Sequence, residues 1–355
     1  MKTYYQKLII YYFSGTGNAK RASEWIVEVA KEHEVETELI NIDSYNFEKT
    51  PDFKEKTLIG FCSPTHGFNL PPIMLKFIYH FPKVNNADFF ILNTRAGMKL
   101  YKLFLPGLSG LAQLLPAIYL RLKGYRVVGM QPMDLPSNWI SIHPGLREKV
   151  IHSIFKRCEK ITKKFAIKII SGKKVYKALL SLPIDLAISP VSLAYYFFGR
   201  FAIAKTFIAT DSCNDCGLCQ KNCPVNAIEK IHDRMYWTFD CESCMHCMNY
   251  CPQRAIETAH SYTFFVWWLA FSILPMCVVN HVVESGLWNI YKGSSQANLL
   301  YYIVEFAGGF MIIYLAYKIL HFLMRFKFFN KIIAYTSLTK YKFWRRYKAP
   351  VRKKQ

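Results

Sequence analysis

Eight of the eleven cysteines in this 355-residue chain fall into two copies of one pattern. The first run is Cys213-x-x-Cys216-x-x-Cys219-x-x-x-Cys223-Pro224, and the second is Cys241-x-x-Cys244-x-x-Cys247-x-x-x-Cys251-Pro252. Two-residue gaps let a backbone wrap a small sphere and aim its N–H groups at the sulfurs, as a cubane iron–sulfur cluster requires, while the fourth thiolate arrives from a distance. Paired C-x-x-C also suits zinc, but a third Cys and a Cys-Pro in each run are excess for a four-ligand site. A disulfide framework suits short secreted chains. Here the apolar run Leu8–Phe13 is too short for a signal peptide and leads into a glycine loop, not a cleavage site. The cysteines therefore read as reduced and cytoplasmic. Cys62, Cys158 and Cys277 are left over and read as buried structural thiols.

The N-terminal third has a different logic. Lys7–Phe13 is β-branched and aromatic, as a buried strand is, and Ser14-Gly15-Thr16-Gly17-Asn18 follows at once. Ala19–His33 then has helical spacing, with Ala22, Trp25, Ile26, Val29 and Ala30 on one face. A strand, a small hydroxyl-rich loop and a helix N-terminus make an anion site. The loop lacks a Walker lysine and the third glycine of a dinucleotide fingerprint. Further strands are expected at Glu36–Ile42, Thr57–Cys62, Asp88–Asn93 and Tyr125–Met130, a βα alternation that predicts a parallel sheet covered by helices. In such sheets the ligand lies beyond the carboxyl ends of the strands, where Ser14–Asn18, Ser63–Phe68 and Asn93–Gly97 fall. Leu103–Leu120 contains no charged residue. It is expected as a helix buried in the core, in a partner, in the linker that follows or at a membrane interface.

Over roughly residues 1–150 the chain resembles flavodoxin, through the Ser-Gly-Thr-Gly-Asn loop and the strand rhythm. The resemblance implies FMN, with Ser14, Gly15, Thr16, Gly17 and Asn18 on the phosphate. Thr65, His66, Gly67, Asn93, Thr94, Arg95, Ala96 and Gly97 would line the ring. Ala19 stands where flavodoxins often carry a hydroxyl, removing one phosphate donor, and a flavodoxin scaffold that has lost its flavin is the alternative. The cysteine runs resemble bacterial two-cluster ferredoxins, in which the fourth ligand crosses between motifs. That implies two [4Fe-4S] clusters, one on Cys213, Cys216, Cys219 and Cys251 and one on Cys241, Cys244, Cys247 and Cys223. Residues 1–259 as a whole are similar to bacterial flavodoxin–ferredoxin fusion proteins.

Net charge is +22 with 52% hydrophobic residues, a pairing that points to membrane. Ser141–Lys205 carries thirteen Lys/Arg against three Asp/Glu, and Arg325–Gln355 carries eleven against none. Both stretches adjoin apolar segments, so anionic lipid headgroups are expected as partners rather than nucleic acid. Lys149–Lys177 has the pattern of a basic amphipathic helix. Val175–Ala204 is apolar but holds Pro183, Asp185 and Pro190, which a free-standing span tolerates poorly; it is expected as a connector on the redox domains or at the interface.

Tyr262–Val279 and Leu299–Arg325 are expected as two membrane-spanning helices. Glu305 and Lys318 lie in the second, and the uneven charge directs both redox domains and the C-terminus to the cytoplasm. His260, His281 and His321 are not placed to share a haem. Glu305 and Cys277 fall at similar depth, as a packed polar pair or a quinone or proton site. The expected architecture is thus an α/β flavodoxin-like doubly wound parallel sheet (1–150), a connector (151–206), a small α+β two-cluster ferredoxin domain (207–259), a two-helix transmembrane hairpin (260–325) and a basic tail (326–355). The expected role is electron transfer between FMN, two clusters and a redox protein or membrane-bound acceptor, at the cytoplasmic membrane of a bacterium. The alternative is an FMN-dependent reductase of a lipid-soluble substrate such as a quinone. A redox sensor is a weaker third, since no signalling segment accompanies the motifs.

Overall fold

The computed structural model describes residues 3–45, 56–84, 86–273, 276, 281 and 295–345. Strands β1 (Lys7–Tyr12), β2 (Glu36–Asn41), β3 (Thr57–Pro64), β4 (Asp88–Leu100) and β6 (Arg126–Pro136) form a parallel sheet in the order β2-β1-β3-β4-β6. A short β7 (Val175–Tyr176) pairs parallel with β6, and β5 (Leu103–Leu105) folds back antiparallel on β4. Setting the β5 hairpin aside, this is the flavodoxin-like doubly wound order, with its switch point beside β1 and β3.

Alternation along each strand divides two cores. In β1, Leu8, Ile10 and Tyr12 face α1 (Asn18–Glu32) and α4 (Glu148–Ile170), whereas Ile9 and Tyr11 face α2 (Pro72–His80) and α3 (Leu111–Leu122). The expected helical face of α1 is the buried one, at Ala22, Trp25, Ile26, Val29 and Ala30. The basic amphipathic helix read near 149–177 is α4. Its Ile154, Cys158, Phe165, Ala166 and Ile169 enter the same core as α1, so its apolar face is spent on the sheet. The uncharged stretch Leu103–Leu120 is not one helix. It opens as β5, and the helix begins only at Leu111, with Ala112, Pro116, Ala117 and Leu120 buried and Leu115, Ile118 and Leu122 exposed. Gly110, at φ 53, turns the chain between them, and a Cβ there would meet the carbonyl oxygen of Phe68 at 2.5 Å.

The apolar connector is a chain of short helices, including α5 (Leu182–Ala187), α6 (Ser189–Ala194) and α7 (Arg200–Ala204), bent by 76° near Ile188. Asp185 is not an exposed defect in it. It is buried, one carboxylate oxygen accepting from the N–H groups of Ser109 (2.9 Å) and Gly110 (2.8 Å) and the other from the Ser181 hydroxyl (2.7 Å). The connector is thereby tied to the loop ahead of α3. Lys205 at its end is buried too, among the rings of Tyr236, Phe239 and Tyr317, and donates to the carbonyl of Trp237. Burial lowers its pKa to about 8.

A small α+β unit follows. Strands β8 (Phe207–Ala209) and β11 (Ile256–Thr258) pair antiparallel, β9 (Ile228–Ile231) and β10 (Arg234–Trp237) form a hairpin, and α8 (Leu218–Lys221) and α9 (His246–Tyr250) each lie inside one cysteine run. Helix α10 (His260–Trp268) continues from β11.

Among the described residues one helix, Ser295–Leu323, is long and apolar enough to cross a membrane, through its stretch Phe306–Leu323. The first expected span is described only through Ile273 and at Met276; Cys277, Trp288 and the turn lie outside the described residues, as does the side chain of Glu305. The stretch expected as a basic tail is folded as far as Arg345. Asn330 accepts from the N–H of Asp211 (3.1 Å), Trp344 Nε1 donates to the Ile140 carbonyl (2.6 Å), and Arg345 pairs with buried Glu257 (3.8 Å). Replacing Asp185 by Ala leaves two buried N–H groups unpaired, so we expect a loss of about 3 kcal/mol in stability. Chemical denaturation read by far-UV circular dichroism checks this; an unchanged midpoint would show that the connector is not held there.

Candidate functional site

The loops at the carboxyl ends of β1, β3, β4 and β6 enclose a cavity of about 230 Å³. Ser14, Gly15, Thr16, Asn18, Thr65, His66, Gly67, Thr94, Arg95 and Ala96 line it, bringing the three expected loops to one place. Gly17, Asn93 and Gly97 shape the walls from behind. Gly17, at φ 95, starts α1 and donates its N–H to Ser14 Oγ (3.0 Å). Asn93 donates to Thr65 Oγ1 (2.7 Å) and Ser109 Oγ (3.2 Å) and accepts from Gln113. A Cβ on Gly97 would lie 2.3 Å from the Asp134 carbonyl oxygen.

Three of the expected residues also make bonds within the protein. Arg95 is locked to Asp134 by a 2.7 Å ion pair and bonds to Ser109 (3.3 Å), so it braces the β4 and β6 loops. Asn18 turns its amide to the Pro136 carbonyl (2.6 Å), and Thr16 Oγ1 accepts from Asn138 (2.6 Å). The donors left for an anion are the first-turn N–H groups of α1, which have no partner within the helix, and the hydroxyls of Ser14 and Thr16, which only accept in these bonds.

A fourth loop was missed by sequence reasoning. Ser137, Asn138, Trp139 and His143, after β6, close the cavity. Their place beyond the carboxyl end of a parallel strand was the available signal. Trp139 stacks on His66 (centroids 5.8 Å, 24°) and sends its indole N–H to the Ser243 carbonyl (2.7 Å). His66 is fully buried, and burial lowers its pKa to about 4. Its Nδ1 has no partner.

The last wall comes from the second cysteine run. Cys244 and Met245 line the same cavity. A Cβ on Gly15 would lie 2.5 Å from the Cys244 carbonyl oxygen, and His246 Nδ1 bonds to the Gly15 carbonyl (2.7 Å). Met245 holds a left-handed φ of 59°, where the first run has Gly217 at 68°. A side chain there is costly, and this one is spent on the cavity wall.

The cysteines sort by proximity. Cys213 and Cys251 crowd Cys219, and their charges push its thiol up, though burial does more, taking it to about 11. Burial takes Cys241 to about 12, with Cys223 adding to the rise. Burial first, then Cys247, Cys241 and Cys223, raise Cys244. Cys247 feels Cys219 as well, so the two sulfur sets abut. The N–H of Ala227 donates to Cys223 Sγ and that of Ala255 to Cys251 Sγ, both at 3.3 Å. Among the described residues no three His, Cys, Asp or Glu side chains close on a single ion. The raised thiols of Cys219, Cys241, Cys244 and Cys247 lose their protons most readily to a bound cation. A second cavity, of about 550 Å³, is lined by Cys213, Cys216, Cys219, Cys247 and Cys251. Cys62 and Cys158 are buried apart from these, both pushed by burial to about 12, as inert structural thiols are.

Residues 212–256 match the family model described as a 4Fe-4S dicluster domain. No curated protein matches the chain. Among solved structures, a flavodoxin from the domain Archaea is 18% identical, with a TM-score of 0.29, over 46% of this chain and 98% of that one. Flavodoxin 1 from Bacillus cereus is 19% identical, with a TM-score of 0.29, over 45% and 96%. The flavodoxin of Streptococcus pneumonia TIGR4 is 16% identical, with a TM-score of 0.31, over 46% and 99%.

In the flavin-free protein the unfolded chain protonates His66 near 6.5 and the folded chain only near 4. Stability therefore rises with pH across that window and is lost as pH falls through it. We expect His66→Gln to remove about 2 kcal/mol of the loss between pH 7 and pH 5, read from urea midpoints at both values. Equal slopes in variant and parent would refute the burial of a neutral His66. The chain thus joins a parallel α/β domain of flavodoxin-like strand order to a segment matching a 4Fe-4S dicluster domain, which supports a redox role.

Proposed function

We propose that the protein is a membrane-anchored electron-transfer protein that holds FMN in the β-sheet cavity and two [4Fe-4S] clusters on its cysteine runs. The observation that carries this reading is the shared wall: Cys244 and Met245 line the cavity built by Ser14, Thr65, His66 and Thr94. Bound FMN exchanges one or two electrons and each cluster one, so the set converts between two-electron and one-electron partners.

The residues have distinct tasks. The first-turn amides of α1 and the Ser14 hydroxyl receive the phosphate. His66 and Trp139 present a stacked aromatic wall to the ring, with His66 neutral at pH 7. Tyr195 packs on Gly67, where a Cβ would lie 2.0 Å from its ring, and excludes water from that side. Cys213, Cys216, Cys219 and Cys251 hold one cluster; Cys241, Cys244, Cys247 and Cys223 hold the other. The mutual crowding of Cys219 with Cys251 and of Cys244 with Cys223 supports that crossed division.

The membrane hairpin is supported by where its ends lie. Tyr262 in α10 donates to the Ala316 carbonyl (2.9 Å), and Ser261 to that of Thr336 (3.4 Å). The chain therefore leaves the cluster domain at α10 and returns to it after Leu323. The helix Ser295–Leu323 is about 43 Å long, enough for a hydrocarbon core of about 30 Å. Phe264, Phe265, Trp267 and Trp268, with Tyr302, Phe306, Met311, Leu315 and Phe322, leave a broad exposed apolar face. We place the redox domains and the folded tail on the cytoplasmic side, by the excess of Lys/Arg there.

Anaerobic protein extracted in detergent should carry one flavin and about eight irons per chain. Cys251→Ser should halve the iron and leave flavin in place; full iron retention would refute the crossed ligation. Gly15→Val drives a side chain into the Cys244 backbone. We expect it to slow cluster reduction by flavin at least about tenfold at unchanged iron content, followed by stopped-flow absorbance. A rate equal to the parent's would mean that the shared wall is not the route.

A further inference from the structure

Among the described residues Trp237, at the end of β10, is the largest side chain to be wholly buried, yet its indole N–H has no hydrogen-bond partner. It packs in one core with Cys241 and Cys247. Burial raises the Cys247 thiol, Cys241 adds to the rise, and the Trp237 indole opposes both as a hydrogen-bond donor. The unmet N–H therefore lies toward the Cys247 sulfur. A buried donor without an acceptor is costly, and native proteins seldom keep one. A thiol accepts weakly, whereas a sulfur bonded to iron carries negative charge and accepts well.

The main chain of Trp237 is held on both sides. Its N–H donates to the Tyr317 hydroxyl (3.1 Å), and its carbonyl accepts from Lys205 Nζ. Lys205 is only 6% exposed, with the ring centroids of Phe239, Tyr317 and Tyr236 at 4.3, 4.7 and 4.9 Å from its ammonium. Burial lowers its pKa, and Cys241, ahead of Asp240, is the charge that opposes the fall. Water and salt screen a cation this buried far less than a surface one, so its field reaches the sulfurs beside it. The other sulfur set has different surroundings. Cys216 is exposed, and Cys219 is raised by burial and relieved by the backbone N–H of Gln220. Arg345, which acts on Cys247 and Cys251 alike, is offset by Glu257 at 3.8 Å.

We propose that Trp237 donates its indole N–H to the Cys247 sulfur and, together with Lys205, raises the reduction potential of one cluster only, the one held by Cys241, Cys244, Cys247 and Cys223. The inference rests on the reading that two clusters occupy the cysteine runs in crossed sets, and it names residues that tell the two apart. Reduction adds one electron, and so one negative charge, to a cluster; no bond forms or breaks. A hydrogen-bond donor and a buried cation both stabilise the more negative state, and hydrogen bonds to sulfur and net charge set such potentials. The cluster concerned is the one whose Cys244 lines the cavity of the flavin loops. Trp237 and Lys205 thereby set the driving force for an electron passing between that cavity and the cluster.

The test is a redox titration at pH 7 of the full-length, cluster-loaded protein in detergent, followed by electron paramagnetic resonance, with iron counted in each sample. The parent should show two cluster midpoints. Trp237→Phe and Lys205→Met should each lower the same one of them at unchanged iron. The expected shift is about tenfold in the ratio of reduced to oxidised cluster, or about 59 mV for one electron. Unmoved midpoints in both variants, or equal shifts of both midpoints, overturn the inference and spare the two-cluster reading. Should Trp237→Phe fail to load iron, tryptophan labelled with ¹⁵N at the indole decides the hydrogen bond with Trp237 in place. Trp139→Phe removes the other indole near Cys244 from that sample. A ¹⁵N coupling on one reduced cluster is expected, and its absence overturns the bond. Iron for fewer than two clusters in the parent would instead overturn the two-cluster reading, and the inference with it.

Discussion

Backbone against backbone at Gly15 and Cys244 is the contact on which the rest of the arrangement depends. A Cβ on Gly15 would stand 2.5 Å from the Cys244 carbonyl oxygen, and His246 closes the junction by bonding to the Gly15 carbonyl. The loop Ser14–Asn18 thus packs directly on the second cysteine run. Removing the side chain at residue 15 lets two domains share a wall of the same cavity. The left-handed Met245 completes that wall at a cost in backbone strain, as functional positions often do.

Around this junction the protein spends charge sparingly. Arg95 and Asp134 pair with each other, Asp185 is met by three donors, and Lys205 sits among three aromatic rings with a carbonyl to bond. Each of these charged side chains is engaged in holding one segment to another. The thiols are treated in the opposite way. Burial first, and then neighbouring cysteines, raise the thiols of Cys219, Cys241, Cys244 and Cys247, which favours their losing protons to a bound cation rather than to water.

The C-terminal segment works as a clasp. After the helix Ser295–Leu323 the chain folds onto the cluster domain through Asn330, Ser337, Thr339, Trp344 and Arg345. Thr339 meets the N–H of Thr258, and Leu338 meets His260, so the clasp also braces the entrance to α10. The cluster domain is thereby bonded to the chain on both sides of the helical segment.

Local chemistry was legible in the chain itself. Cysteine spacing named the cluster unit, the period of Ala22, Trp25, Ile26 and Val29 gave the buried face of α1, and the loop Ser14–Asn18 marked the carboxyl end of β1, because each signal lies within one turn or strand. What only the tertiary structure decided involves partners far apart in sequence. Leu103–Leu105 pairs as a strand because β4 runs long enough to accept it. The helix Glu148–Ile170 covers the sheet because α1 leaves a groove there. Trp139 enters the cavity, Arg95 pairs with Asp134 at its wall, and Cys244 meets Gly15 across more than two hundred residues of chain. No periodicity records such meetings; they follow from which surfaces remain to be buried once the sheet has closed.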